Sequence, residues 1–395
     1  MTLLGEENAG TAKDADALFR EAVLHHRNGR LSEAENTYAE ALTVCPGHPK
    51  ASNNLGVLLC DLARPAEALI IWRQAIEIAP DDADLHSNLG IALQKLGRYE
   101  EALPCARRVL TLAPKDADAY FNLANVLQGL NHHDEAVAAY KQALNLSPGR
   151  ADIYNNLGLS LVALNQSNSA IAAYQQACRA APQEAEFYNN LGNAYRRLQL
   201  LHEAVSAYEH ALAQEPDHAN ALSESMLCRL DMCDWDGLDD RVATIVDHVR
   251  RGGAAISPFC LLAVSDDPAL QLACATHYHQ SRQSVLTPSQ PPAKIIHREK
   301  LRIGYYSNTF RTHAMSHLMV HLLERHNRNR FEICALSYGR DDGGPLRRRA
   351  ETAVDEFLDL HQQSDDEVER KIAEQDIDIL VDLNGWTERT RLRLM

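Results

Sequence analysis

Residues 151–184 read ADIYNNLGLSLVALNQSNSAIAAYQQACRAAPQE, and this pattern occurs six times in succession over residues 15–218, at an interval of 34 residues. A proline stands near the end of every unit, at Pro46, Pro80, Pro114, Pro148, Pro182 and Pro216. An interval of this length is typical of antiparallel helix pairs that stack on one another, because one pair cannot bury its own apolar face. The spacing therefore predicts an α-helical solenoid over residues 15–218.

Four further columns run through the six units. One column is Leu55, Leu89, Leu123, Leu157 and Leu191, and the next is small, with Gly56, Gly90, Gly158, Gly192, Ala22 and Ala124. A third is Ala34, Ala68, Ala102, Ala136, Ala170 and Ala204, and a fourth is Tyr38, Trp72, Tyr140, Tyr174 and Tyr208, interrupted by Ala106. We expect the small residue to let two helices approach closely, the aromatic ring to pack into the neighbouring unit, and the proline to end the second helix. These columns resemble the tetratricopeptide repeat.

The charge, the N-terminal residues and the cysteines indicate the cellular compartment and exclude some classes of partner. The 395 residues include 39 basic and 54 acidic ones, a net charge of -15, and a nucleic-acid partner would require a basic surface. The first ten residues lack a basic cluster and an apolar run, and no apolar run approaches the ~18 residues of a membrane-spanning helix. Nine scattered cysteines without a Cys-x-x-Cys pair indicate buried, reduced thiols and no metal site. We therefore predict a cytoplasmic protein with no nucleic-acid and no membrane partner.

The repeat register and the composition divide the chain into five parts. They are an N-terminal segment at 1–14, six repeats at 15–218, a degenerate repeat with capping helices at 219–285, a linker at 286–300, and an α/β lobe at 301–395. Residues 219–230 resemble one more first helix, after which Cys-Asp-Trp-Asp at 233–236 breaks the columns. Three prolines between 288 and 292 mark the linker.

One repeat column consists of asparagine: Asn54, Asn88, Asn122, Asn156 and Asn190. Asparagine is a mediocre helix residue, so its recurrence needs a reason. One interpretation is a ladder of amides along the concave groove that binds the backbone of an extended polypeptide, whatever its side chains. At a net ~1 kcal/mol per amide the ladder would bind weakly and release readily. The other interpretation is hydrogen bonding between repeats that fixes their stacking, and the two uses are compatible.

A second polar column is mostly acidic: Asp16, Lys50, Asp84, Asp118, Asp152 and Glu186. If this column lines the groove, it favours polypeptides that carry Lys or Arg. The alternative is that these carboxylates only stabilise the helix N-termini beside them.

After Lys300 the pattern changes to alternating strands and helices. Strands are predicted at 301–306, 331–338, 357–360 and 377–383, and helices at 315–326, 345–355 and 365–374. This alternation predicts a parallel, Rossmann-like sheet, in which ligands bind beyond the carboxyl ends of the strands. Two segments lie at those ends, Ser-Asn-Thr-Phe-Arg-Thr-His at 307–313 and Asn-Gly-Trp-Thr at 384–387.

Three motifs in this order give a more specific resemblance: Leu-Arg-Ile-Gly-Tyr-Tyr-Ser at 301–307, His-x-x-Ser-His-Leu-Met at 313–319, and Asp-Ile-Leu-Val-Asp-Leu-Asn-Gly at 378–385. Following tetratricopeptide repeats, they are similar to the protein O-linked N-acetylglucosamine transferases, including the Spindly-type relatives. The resemblance implies a two-lobed GT-B-type enzyme that transfers N-acetylglucosamine from the UDP-sugar to Ser or Thr with inversion and without a metal. It implies no cofactor, with UDP-N-acetylglucosamine as co-substrate and extended polypeptides guided by the groove of repeats.

The resemblance also indicates site residues. His313 matches a family histidine that faces donor and acceptor, as a base or as a positioning group, whereas the residues alone favour a helix-capping role. Asn384 and Gly385 match a family loop near the active site. The next residue, Trp386, departs from the His or Tyr that is common in the family.

Residues 301–395 correspond to the first lobe only, so we expect that the chain as given lacks most of the donor pocket and is weakly active or inactive alone. The alternative is a non-catalytic tetratricopeptide adaptor that mediates protein–protein interaction. The repeats could also support a homodimer. The sequence does not specify which proteins are bound or modified, nor the donor sugar.

Overall fold

The structure is a computed structural model that describes residues 3–253, 255–282, 299–361, 363 and 365–384. The chain forms two compact units, Met1–Cys233 and Asp234–Met395.

The first unit contains thirteen described helices that pack in consecutive pairs. They are α1 (Leu3–Arg27), α2 (Leu31–Val44), α3 (Pro49–Asp61), α4 (Pro65–Ile78), α5 (Ala83–Lys95), α6 (Tyr99–Leu112), α7 (Ala117–Gly129), α8 (His133–Leu146), α9 (Ala151–Ala163), α10 (Ser167–Ala180), α11 (Ala185–Arg197), α12 (Leu201–Gln214) and α13 (Ala219–Asp231). From α3 to α13 the first helix of each repeat also contacts the first helix of the next, which puts these helices along the inner face of the solenoid. The predicted helical solenoid is confirmed. Helix α1 begins at Leu3 and runs through the expected boundary at residue 15.

The aromatic column forms the buried centre of the repeats, with Tyr38, Trp72, Tyr140, Tyr174 and Tyr208 at most 2% exposed. The ring lies over the small residue of its own unit. A Cβ on Gly158 would stand 2.5 Å from the ring of Tyr174. The small column therefore makes room for a ring of the second helix. The expected packing into the neighbouring unit is correct for part of the column, since the Tyr38 hydroxyl accepts a hydrogen bond from Asn54 of the next repeat.

The turn between the two helices of each repeat has a left-handed residue at the 34-residue interval. These residues are Gly29, Ala63, Gly97, Asn131, Asn165, Gln199 and Cys233, with φ between 55° and 72°. Cys233 therefore continues the turn register into a seventh repeat, whose first helix is α13. The next helix begins at Leu238, after residues 234–237. The sequence columns are lost there, but the turn geometry is kept.

The second unit begins with α14 (Leu238–Arg250), α15 (Pro258–Val264) and α16 (Pro268–Arg282). A lobe of alternating strands and helices follows: β1 (Leu301–Ser307), α17 (Ala314–Arg325), β2 (Phe331–Ser337), α18 (Pro345–Thr352), β3 (Glu356–Asp359), α19 (Asp365–Glu374) and β4 (Ile379–Asp382). The strands form a parallel sheet in the order β3-β2-β1-β4. The predicted parallel sheet is confirmed, and its order is that of the first half of a doubly wound fold.

Apolar side chains alternate between the two faces of this sheet. Ile303 and Tyr305 of β1 pack in one cluster with Leu323 of α17, whereas Tyr306 packs on the other face with Val368 of α19. Helices therefore cover both faces, and the loops after the strands are left to form a site. In the described residues, no helix is long and apolar enough to cross a membrane.

Candidate functional site

The carboxyl ends of β1 and β4 are joined through the side chain of Asn384. Its Oδ1 accepts hydrogen bonds from Ser307 Oγ at 2.8 Å and from the backbone N–H of Asn308 at 3.0 Å, and its Nδ2 donates to Asn308 Oδ1 at 2.8 Å. Asp382 Oδ1 in turn accepts from the backbone N–H of Asn384. Asn384 is 9% exposed, so its amide is used to hold the two loops together. Gly385, the other predicted residue of this loop, lies outside the described residues, as does Trp386.

His313 begins α17 and is exposed. Its Nδ1 accepts a hydrogen bond from the backbone N–H of Met315 at 3.2 Å, which makes it the N-cap of the helix. The capping role that the residues alone favoured is therefore present. Among the described contacts no hydrogen bond links His313 to Asn384, although the two stand at the ends of the neighbouring strands β1 and β4. The Nε2 atom of His313 has no partner within the described residues.

A carboxylate that the sequence did not single out holds the loop before His313. Asp342, in the turn after β2, accepts hydrogen bonds from the backbone N–H of Thr312 at 2.8 Å and of Gly344 at 3.0 Å. The bonds from Thr312, chiefly its backbone N–H, and from Gly344 lower the pKa of the Asp342 carboxyl to about 2. No role for Asp342 was predicted from the sequence. Its only signal is Asp-Asp-Gly-Gly at 341–344.

The ends of β2 and β3 are joined by a buried cation. Arg347 is 3% exposed and donates to Ser337 Oγ at 2.7 Å and to Asp359 Oδ2 at 2.8 Å. Its guanidinium also pairs with Glu351 and lies 4.2 Å from the centre of the Phe357 ring. Ser337 and Asp359 are the last residues of β2 and β3. Arg347 therefore holds the carboxyl ends of β2 and β3 together, and the turn that carries Asp342 follows β2 directly.

On the inner face of the solenoid, the asparagine column makes hydrogen bonds between repeats. Asn88 Nδ2 donates to Asn53 Oδ1 at 2.6 Å, and Asn190 Nδ2 donates in the same way to Asn155 Oδ1 at 3.0 Å. Asn156 Nδ2 donates to Asn125 Oδ1 at 3.0 Å. The stacking interpretation is therefore realised in the structure. All five column residues are half-buried, so part of each amide still faces solvent.

Asn122 differs from these three. Within the described residues its side chain makes no hydrogen bond, whereas Asn54 donates to Tyr38. The N–H donors and the carbonyl oxygen of the Asn122 amide are therefore all available to a bound polypeptide.

Three carboxylates of the acidic column contact a basic side chain of their own repeat, and Asp152 pairs with Arg150 of the preceding repeat. His48 and His218, at the last position of their repeats, contact Asp16 at 3.1 Å and Glu186 at 3.2 Å. Arg150, at the same position, pairs with Asp118. These carboxylates bind basic side chains of the solenoid itself, which supports a structural role for the column.

Metal and cysteine chemistry offer little in the described part of the chain. It contains no group of three or more His, Cys, Asp or Glu side chains able to hold a metal ion. Of the nine cysteines, six are buried, and burial raises the pKa of the Cys334 thiol to about 11. Cys45 and Cys60 are half-buried and Cys233 is exposed, so the expectation of buried thiols is wrong for these three.

Comparison with known families also separates the repeats from the α/β lobe. Tetratricopeptide repeat profiles match residues 6–49, 48–115, 81–148, 158–199 and 185–218. Residues 282–395 match the profile of glycosyl transferase family 41. The chain is therefore similar to tetratricopeptide repeats over most of residues 6–218 and to part of the family 41 glycosyltransferase domain after them. The resemblance inferred from the sequence motifs is thereby confirmed.

Similar proteins match part of the chain. The Arabidopsis thaliana protein named "Probable UDP-N-acetylglucosamine--peptide N-acetylglucosaminyltransferase SEC" is 30% identical over 175 residues, and a Caenorhabditis elegans UDP-N-acetylglucosamine–peptide N-acetylglucosaminyltransferase is 29% identical over 175. Each match covers 40% of this chain, and it spans 18% and 15% of the two relatives. A solved structure of a Thermobaculum terrenum O-GlcNAc transferase mutant is 22% identical, with a TM-score of 0.42, over 70% of this chain and 48% of that one.

Proposed function

We propose that this chain is the acceptor-guiding part and first catalytic lobe of a protein O-GlcNAc transferase. The observation that carries the proposal is the presence, in one chain, of the repeat array and of the family 41 segment. The reaction is transfer of N-acetylglucosamine from UDP-N-acetylglucosamine to a Ser or Thr hydroxyl of a polypeptide. We assign it to the cytoplasm and propose no metal and no cofactor.

The repeats act by binding the backbone of an extended polypeptide. Supporting this role, the asparagine column lies on the first helices, and the cross-repeat bonds of Asn88 and Asn190 use only Nδ2. The Oδ1 of such an amide can then accept a backbone N–H of the bound polypeptide. At about 1 kcal/mol each, five such contacts give a dissociation constant near ~0.2 mM before ordering costs, which suits a substrate that must be released.

His313 acts as a hydrogen-bond donor that positions the reacting groups. Its Nδ1 accepts the Met315 N–H, so the neutral ring carries its proton on Nε2. A ring in this tautomer can donate to a phosphate or sugar oxygen but cannot take the proton of a hydroxyl at Nε2. Positioning is therefore favoured over general-base catalysis while the cap is kept.

Asn384 contributes by fixing the loop after β1 against the loop after β4, and Gly385 is proposed to follow it in the active-site loop. The described lobe has a single sheet, whereas the resemblance implies two lobes around the nucleotide sugar. Transfer requires both lobes because they orient the donor and exclude water. We therefore expect most of the donor contacts to come from a second lobe, and the 395 residues alone to transfer sugar slowly. Self-association through the repeats is an additional proposal, tested by sedimentation.

The peptide role is tested with Asn122→Ala, because Asn122 makes no cross-repeat hydrogen bond in the described structure and its loss should leave stacking intact. Fluorescence anisotropy with a labelled, extended Ser/Thr peptide should show about fivefold weaker binding, the equivalent of about 1 kcal/mol. The matched control is Asn168→Ala, the same change at an exposed position on a second helix. Equal affinities for the two variants would contradict the amide ladder.

The catalytic role is tested by incubating the chain with UDP-N-acetylglucosamine and the same peptide, with mass spectrometry to detect the added sugar. We expect slow transfer that falls further in His313→Ala. Rapid turnover by the chain alone would contradict the need for a second lobe. Slow transfer that is unchanged by His313→Ala would contradict the assignment of His313.

A further inference from the structure

The third repeat lacks the aromatic residue that fills the other five. Its column residue is Ala106, and the small residue opposite is Gly90. A Cβ on Gly90 would meet only Cys105 Cβ at 3.4 Å and Ala102 O at 4.0 Å. At Gly56, Gly158 and Gly192 the equivalent Cβ would lie 2.3–2.5 Å from a ring. The third repeat therefore has unfilled space where its neighbours have a ring.

That space opens as a recess between the first helices of the third and fourth repeats. We call it the groove recess, and its lining includes Gly90, Ile91, Gln94, Ala106, Asn122 and Val126. In the fourth repeat, the Tyr140 hydroxyl donates to Asn125 and Gln128, which occupy the repeat positions of Ile91 and Gln94. The recess thus stands where a column tyrosine would lie.

The exposed surface of the recess is mostly apolar, although its lining also includes His86, Ser87, Gln94 and Asn122. Ile91 and Val126 supply aliphatic walls, and Ala106 supplies the floor. Asn122 lies at the recess and is the column asparagine that makes no hydrogen bond among the described residues. A backbone-binding amide and an aliphatic pocket therefore lie side by side on the inner face.

We propose that the groove recess is a side-chain subsite of the polypeptide groove that takes a small branched aliphatic side chain, best a valine, while Asn122 binds the adjoining peptide unit. The inference rests on the proposed function of the repeats and adds a sequence preference to it. The open recess has a volume of about 280 Å³ including its mouth, and its enclosed end admits a group of about methyl size. A methyl of valine enters that end as it stands, whereas an aromatic ring, either brought by a peptide or introduced by Ala106→Tyr, has to displace the walls of the recess.

The test is a guest scan in an extended Ser/Thr/Ala peptide, with a single Val, Gly or Phe moved along the sequence and binding followed by fluorescence anisotropy. For the wild-type chain we expect one register in which Val binds about fivefold more tightly than Gly and Phe gives no gain. Ala106→Tyr restores the column ring, so the preference for Val should vanish while the all-Ala host peptide binds as before. Ala106→Ser, which leaves the recess open, is the matched control and should keep the preference.

Circular dichroism melting checks that Ala106→Tyr is folded. If it is not, Ile91→Asn serves instead, since it places in the recess wall the residue found at position 125. The subsite is overturned if the Val preference is retained in Ala106→Tyr, or in Ile91→Asn where that variant is used instead. It is also overturned if the wild-type chain shows no Val preference. Failure of every peptide to bind the wild-type chain would instead refute the proposed function of the repeats.

Discussion

Replacing Gly158 with Ala places a methyl group where the ring of Tyr174 lies, 2.5 Å from the nearest ring carbon. The same replacement at Gly90 meets only ordinary van der Waals contacts, the nearest at 3.4 Å. Both glycines are buried within a first helix, so both changes gain helix propensity, about 1 kcal/mol. Overpacking costs about 1–3 kcal/mol and applies to Gly158 alone. We therefore expect Gly158→Ala to lose about 1 kcal/mol and Gly90→Ala to gain up to about 1 kcal/mol.

Urea denaturation followed by far-UV circular dichroism measures the difference, with each variant acting as the control for the other. Since repeat arrays can unfold in parts, amide hydrogen exchange in α5 and α9 should show that each change acts in its own repeat. A shift of the same sign and size in the two variants would refute the assignment of the small column to the ring. It would equally refute the open space beside Gly90.

Three further predictions concern single contacts. Ala63 has φ 57° and Gly97 has φ 71° at the same turn position, a left-handed conformation that glycine adopts without strain. Ala63→Gly should therefore raise the free energy of unfolding by about 0.5–1 kcal/mol, and Gly97→Ala should lower it by a similar amount. Thermal melts measure both changes. Arg347→Met removes the cation that donates to the buried Ser337 hydroxyl and should destabilise the second unit by about 2 kcal/mol more than Arg349→Met, whose ion pair is exposed. Equal melting points of the two variants would contradict a structural role for the buried guanidinium. The folded pKa of Asp342 lies below the ~3.9 of an unfolded Asp, so its contribution is present above about pH 4 and is lost as the pH falls through about 2. The stability difference between wild type and Asp342→Asn in urea should therefore shrink from pH 5 to pH 3, and a constant difference would refute this hydrogen-bonded role.

The repeat solenoid could be predicted from the sequence because six copies of one pattern each have an apolar face that only a neighbouring copy can bury. It did not reveal what the small column is for, since Gly158 is compatible with a close backbone or with a ring. It also missed the seventh turn at Cys233. Left-handed residues at this column include Gly97, which favours that conformation, but also Ala63 and Gln199, which do not. Residue type alone therefore could not mark the turn.

In the α/β lobe, the parallel sheet and the residues at the strand ends followed from the alternation of strands and helices and from the family motifs. The hydrogen bonds that hold the loops in place could not be predicted in this way, because they join distant parts of the chain. Asp342 binds the N–H of Thr312 across 30 residues, and Asn384 binds Ser307 across 77. A sequence can indicate that a polar residue follows a strand, but the hydrogen-bond partner depends on which strands become neighbours. The placement of β4 beside β1 decides it here.

The asparagine column shows why stacking and polypeptide binding need not compete. A primary amide has two N–H donors and a carbonyl oxygen with two lone pairs, and a cross-repeat bond such as Asn88 to Asn53 uses one donor. That bond fixes the rotamer of Asn88, so its carbonyl would meet a polypeptide with less loss of side-chain entropy. Asn122 has no such bond in the described structure and would pay that entropy in full. The groove recess beside it offers apolar surface, and a side chain bound there would add affinity that offsets this cost.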